Sequence, residues 1–125
     1  MVVTGIGATT PLGGDSASTW EGLMAGRSGA KPLEGERFAD LPVRIAALAA
    51  VDPGDVLPRP LARKLDRSAQ FALIAAREAW ADAGFTAKAG EDESIVPERL
   101  GSVIASGIGG VITLLDQYDV LKEKG

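Results

Sequence analysis

The 125-residue chain predicts an α/β fold, and three observations carry that reading. Short runs rich in Val and Ile, at 1–7 and 100–105, alternate with stretches of helical periodicity. Apolar residues make up 46% of the chain, with Ala and Gly prominent, which suits close packing of helices on a sheet. From 69 to 76 only Gln70 is polar, so the helix there is apolar nearly all round and reads as buried. The alternation of strand and helix argues for parallel strand pairing.

Residues 1–7, MVVTGIG, read as a buried strand that breaks into the glycine-containing loop 5–14. A dinucleotide fold would want G-x-G-x-x-G here, but Thr10 stands where the third glycine belongs, so a tight turn between strand and helix is the better reading. Asp15 or Ser16 can cap the next helix, and Ser18 with Glu21 has the spacing of a capping box. Trp20, Leu23 and Met24 then form an i, i+3, i+4 stripe expected to pack into a core, and Gly26 ends the helix. Residues 27–42 read as an exposed connection, 43–48 as a partly covered strand, and Asp52-Pro53-Gly54 as a turn.

Pro58 and Pro60 suit a helix entry and Gly84 a left-handed helix exit, which predicts one helix over 61–83, roughly 34 Å long. Arg59, Arg63, Lys64 and Arg67 cluster on its first turns, where cations work against the helix dipole. Stability alone would not choose them. Four bases beside unsatisfied N–H groups make an anion-receptive surface. The alternative is a solvated first turn, with Asp66 offsetting part of the charge.

Residues 85–99 read as a surface loop, and the triplet Glu91, Asp92 and Glu93 lacks the convergence of a metal site. Residues 100–105 form the second apolar strand signal, followed by the turn Ser106-Gly107-Ile108-Gly109-Gly110 and a helix from Val111. That turn lacks the Lys-Ser/Thr of a phosphate loop. Ile108 is its one large side chain, expected to face a cavity or an interface.

Composition narrows the function. There is no Cys and no His, which excludes disulfides, thiolate or imidazole catalysis and the usual zinc ligand sets within this chain. No catalytic residue, metal site or cofactor is assigned. The net charge of −4 makes the basic cluster a local feature, so neither nucleic acid nor a membrane is the expected partner. No membrane-span or leader pattern is visible, and the cytoplasm is the default location. About three strands are too few to cover so apolar a helix, which predicts the N-terminal part of a longer protein, exposing apolar surface when alone.

Four blocks then point to a family: VVTGIGATTPLG at 2–13, STWEGLMAGRSG at 18–29, RKLDRSAQFALIAAREAWADAG at 63–84 and ASGIGG at 105–110. In order and spacing they resemble the N-terminal portion of the β-ketoacyl-acyl carrier protein synthase II family, the elongating condensing enzymes of bacterial fatty acid synthesis. The resemblance implies a thiolase-like α/β fold, of which residues 1–125 would be most of the first of two halves, ending before the catalytic cysteine. It also implies a homodimer, no cofactor, and a decarboxylating condensation of acyl and malonyl thioesters carried out by a Cys and two His outside this chain.

The acidic acyl carrier protein of such enzymes docks on a basic patch, and Arg63 and Lys64 fall on matching positions. Arg59 joins them, Arg67 is added by helical spacing, and Pro60 stands where relatives can carry another base. Lys122 and Lys124 are further candidate carrier contacts. The residue matching Ile108 lines the far end of the acyl pocket. A polyketide ketosynthase, or its non-catalytic chain-length partner, is the alternative within the same fold, and an independent anion-binding module is the alternative outside it.

Overall fold

The computed structural model describes residues 2–86, 91 and 94–125. Five α-helices appear among them: α1 (Ser16–Met24), α2 (Pro53–Val56), α3 (Arg59–Ala62), α4 (Arg67–Asp82) and α5 (Val111–Lys124). Among the described residues the only sheet is a pair of two-residue strands, β1 (Lys31–Pro32) and β2 (Ile45–Ala46), paired antiparallel with Lys31 opposite Ala46. The Leu33 N–H extends this ladder to the Arg44 carbonyl at 2.8 Å. The predicted parallel pairing is therefore not present among the described residues. The stretch 27–42 is also more than a connection, for it supplies β1 and the 3₁₀ turn Glu36–Phe38.

Neither 2–7 nor 100–105 forms a strand. A strand, unlike a helix, takes its hydrogen bonds from a neighbour, and an apolar run supplies no neighbour. Both segments leave large side chains in solvent, with Val103 98% exposed. Within this chain the expected exposed apolar surface is present.

Local signals fixed the ends of α1 and α5 well. Asp15 caps α1, but its box partner is Ser18: the Ser18 N–H donates to Asp15 Oδ1 at 2.7 Å, and Ser18 Oγ answers the Asp15 N–H. Gly26 follows in the left-handed region at φ 63°. The stripe of Trp20, Leu23 and Met24 does not enter a core here; all three are exposed. Among the described residues the buried centre is small, with Leu57 only 4% exposed and Pro53 fully buried where α2 packs on α4.

The predicted single helix over 61–83 is two helices. α3 is one turn, 63–66 turn away, and Asp66 restarts the chain as the N-cap of α4. Asp66 Oδ1 accepts the Ser68 N–H at 2.8 Å, the Ser68 hydroxyl at 2.6 Å and the Ala69 N–H at 3.1 Å. Gln70 closes the break from the other side, its Nε2 donating to the carbonyls of Ala62 at 2.8 Å and Leu65 at 2.9 Å. An Asp cap and a side-chain amide satisfy the groups that a continuous helix would have paired internally. The remaining α4 runs about 24 Å at 1.5 Å per residue and exits through Gly84 at φ 87°. Its 69–76 stretch is half-buried rather than enclosed.

The loop 5–14 is held along α4. The Ile6 N–H donates to Asp82 Oδ2 and the Ala8 N–H to Glu78 Oε2, each at 2.8 Å. As the loop advances from 6 to 8 its partners step back from 82 to 78, so the segment runs against the helix direction. Gly5 and Gly7 make this possible. A Cβ on Gly5 would collide with the Ala79 carbonyl and approach the Ala83 nitrogen to 2.7 Å; one on Gly7 would collide with the Ala75 carbonyl and approach the Ala79 nitrogen to 2.7 Å. Ala75, Ala79 and Ala83 recur every fourth residue, leaving a shallow track in which a glycine backbone can lie. The G-x-G is thus a helix-packing device as well as a turn.

Candidate functional site

Two concave surfaces flank α3 and the start of α4. The first is an open groove of about 520 Å³ lined by Arg59, Arg63, Arg67, Asp52, Asp55 and Gln70, among others. Because the chain breaks at 63–66, the basic residues occupy different positions from those expected. Arg59 opens α3, Arg63 follows its last residue, and only Arg67 lies on the first turn of α4. Arg63 and Lys64 therefore sit beyond a helix C-terminus, where cations are favoured, and not on a positive helix end. The α4 N–H groups are not free for an anion either, since Asp66 takes those of Ser68 and Ala69.

The anion-receptive character of the groove therefore rests on guanidinium groups alone. Three of the four predicted bases, Arg59, Arg63 and Arg67, line it; Lys64 is exposed on the same turn but lies outside its lining. Arg67 is engaged, with Nη1 3.0 Å from Asp52 Oδ2 and the guanidinium 5.1 Å from the centre of the Phe71 ring. Three guanidiniums face two carboxylates, so the groove keeps a positive surplus but is mixed in sign. The Gly54 N–H, and after it Arg67, hold the Asp52 carboxyl below its ordinary range. Asp66 is likewise lowered, first by the Ser68 hydroxyl and then by the Ala69 N–H. Lys122 lies 5.4 Å from the Tyr118 ring centre on α5, and neither it nor Lys124 lines the groove.

The second surface is an apolar cavity of about 760 Å³ between α4 and 104–106, with Leu61, Leu65, Phe71, Ala75, Ile104 and Thr9 on its walls. Thr9 Oγ1 is buried there without a hydrogen-bond partner among the described residues. Ile108, expected at a cavity or interface, is 75% exposed in this chain and lies outside this lining. The tip that carries it is ordered by the Gly109 N–H donating to Ser106 Oγ at 2.9 Å, with Gly109 at φ 72°. Of the acidic triplet, Asp92 and Glu93 lie outside the described residues. Among the described residues no group of three or more acidic side chains is placed to hold a metal.

Sequence reasoning missed Glu78. Its carboxylate joins three segments: Oε2 takes the Ala8 N–H, while Oε1 takes the Ser16 N–H at 2.7 Å and the Ser16 hydroxyl at 2.5 Å. Burial pushes this carboxyl up, but the hydrogen bonds from the Ser16 hydroxyl, the Ser16 N–H and the Ala8 N–H outweigh it and hold Glu78 below the ordinary glutamate value. An acid on an otherwise Ala-rich helix face, four residues before Asp82, was the available signal.

Comparison with known proteins places the whole chain in one family. The family model described as "Beta-ketoacyl synthase, N-terminal domain" matches residues 1–125, and the chain belongs to that family. Its curated relatives include proteins named 3-oxoacyl-[acyl-carrier-protein] synthase 2. The one from Coxiella burnetii is 39% identical over the whole of this chain and 29% of the relative, and that from Synechocystis is 34% identical with the same coverage. Among solved structures, "The ishigamide ketosynthase/chain length factor" aligns over 97% of this chain and 30% of its own, with a TM-score of 0.65 and 26% identity. The chain thus spans under a third of the length of these relatives, and its fold is part of the thiolase-like α/β architecture expected.

Proposed function

We propose that this chain is the N-terminal part of a β-ketoacyl-acyl carrier protein synthase that elongates fatty acids by condensing an acyl thioester with malonyl-acyl carrier protein. The observation that carries the reading is the full-length match of residues 1–125 to the family, together with the relatives' names. The role of this portion is recognition and shape. With no Cys and no His, it supplies no thiolate or imidazole to the reaction. Arg59, Arg63, Lys64 and Arg67 form the docking surface for an acidic acyl carrier protein, supported by the convergence of three of them on one groove. The exposed apolar residues Leu114, Leu115, Tyr118 and Leu121 on α5 support assembly with further protein, and the reading includes a homodimer working in the cytoplasm.

Charge reversal tests the docking surface. Arg63→Glu in the full-length protein should raise KM for the malonyl carrier protein about tenfold, leave kcat little changed, and lose most of its effect at high salt, as a rim charge does. An unchanged KM at low salt would remove Arg63 from the surface. Ile108 is assigned to the far wall of the acyl pocket, and Ile108→Gly should shift the rate ratio of long to short acyl thioesters in favour of the long ones. A ratio equal to that of the unaltered protein rejects the assignment.

The solved ketosynthase/chain length factor supports a second reading, in which the chain belongs to a non-catalytic chain-length partner. Condensation by the purified full-length protein without any partner chain decides between the two.

A further inference from the structure

The basic groove contains an acid of its own. Asp52 Oδ2 lies 3.0 Å from Arg67 Nη1, while Asp52 Oδ1 accepts the Gly54 N–H at 2.8 Å as the N-cap of α2. One carboxylate therefore serves the start of α2 with one oxygen and the first residue of α4 with the other. The pair is open to solvent, the two side chains being 52% and 55% exposed, so a third charged group can reach either member without any unfolding. The Phe71 ring, 5.1 Å from the guanidinium, gives Arg67 a second contact that does not depend on Asp52. Arg59 and Arg63 line the same groove and make no ion pair among the described residues.

We propose that Asp52 is a resident competitor for Arg67, holding that guanidinium in the free protein and being displaced when an acidic partner surface docks. The inference rests on the docking reading above and adds a division of labour to it. Arg59 and Arg63 are available at first encounter, where free charge accelerates association. Arg67 exchanges one carboxylate for another, so it adds little affinity on its own. It discriminates instead, because only a partner that places an anionic group better than Asp52 does gains the contact.

The test is a double-mutant cycle on the full-length protein, read as Kd for the acyl carrier protein at low salt. Asp52→Asn keeps an oxygen for the Gly54 N–H, since Asn caps as well as Asp, and removes the charge that holds Arg67. Binding should tighten roughly two- to fivefold, the scale of an exposed ion pair. The gain should vanish in an Arg67→Gln background. A gain that persists in that background shows only a general change of charge and overturns the proposal, as does unchanged or weaker binding by Asp52→Asn. Arg63→Gln separates the two readings. If it weakens binding while Asp52→Asn does nothing, docking stands and the competitor falls; if it too has no effect, the docking surface and the competitor fall together.

Discussion

Gly7→Val in the full-length protein should lower stability by about 3 kcal/mol or more, the upper range for forcing volume into a packed site. The reason is backbone against backbone. The Gly7 Cα faces the Ala75 carbonyl and the Ala79 nitrogen of α4, and neither can rotate away as a side chain would. Relief requires lifting the loop off the helix, which would also stretch the hydrogen bonds from Ile6 to Asp82 and from Ala8 to Glu78. Glu34→Ala provides the comparison, since Glu34 is an exposed charged residue of the connection between α1 and α2, and it should change stability by less than about 0.5 kcal/mol. The measurement is the urea midpoint of each variant. Equal midpoints for the two would show that the loop does not lie on α4 as described.

Glu78→Gln should be the second most damaging change, at about 2 kcal/mol. A carboxylate presents acceptors on both sides, one for the Ala8 N–H and one for Ser16. A glutamine can satisfy one side only, and its amide NH₂ must then confront a donor on the other. Leaving such a donor unpaired costs roughly 1–3 kcal/mol, and partial exposure of the site argues against the top of that range. The pH dependence has a definite sign. Because the folded-state pKa lies below the unfolded one, the contribution of Glu78 is complete above the ordinary glutamate value of roughly 4.3 and is lost as pH falls through the depressed folded value. The stability gap between the unaltered protein and Glu78→Gln should therefore shrink in acid. A gap independent of pH between neutrality and the acid limit would show that the carboxylate charge is not what holds the three segments.

These two residues also show what could be read beforehand. Helix ends marked by short-range chemistry were legible: Asp15 before α1, Gly26 after it, Gly84 after α4 and Gly110 before α5 all stand where the sequence puts them. The break at 63–66 was not, because RKLD favours a helix and the competing signal is distributed. Asp66 with Ser68 makes a cap, but Gln70 reaching back to two carbonyls appears only once the chain has already turned. The G-x-G and the Ala75, Ala79, Ala83 track were each visible, some seventy residues apart, and nothing local says that they meet. The strand expectations at 2–7 and 100–105 failed for the complementary reason, since an apolar run records a demand for burial without naming the partner. Of the candidate site, the bases were legible as a cluster, but Asp52 as the companion of Arg67 was not.

Gly110 touches the same aspartate that divides the basic helix. A Cβ at 110 would stand 2.7 Å from Asp66 Cγ, so the hinge pin between α3 and α4 and the root of the Ile108 tip occupy one point. A substitution at 110 therefore reaches the break between α3 and α4 and the turn bearing Ile108 at once. A side chain there would have to displace Asp66, and with it the hydrogen bonds that start α4.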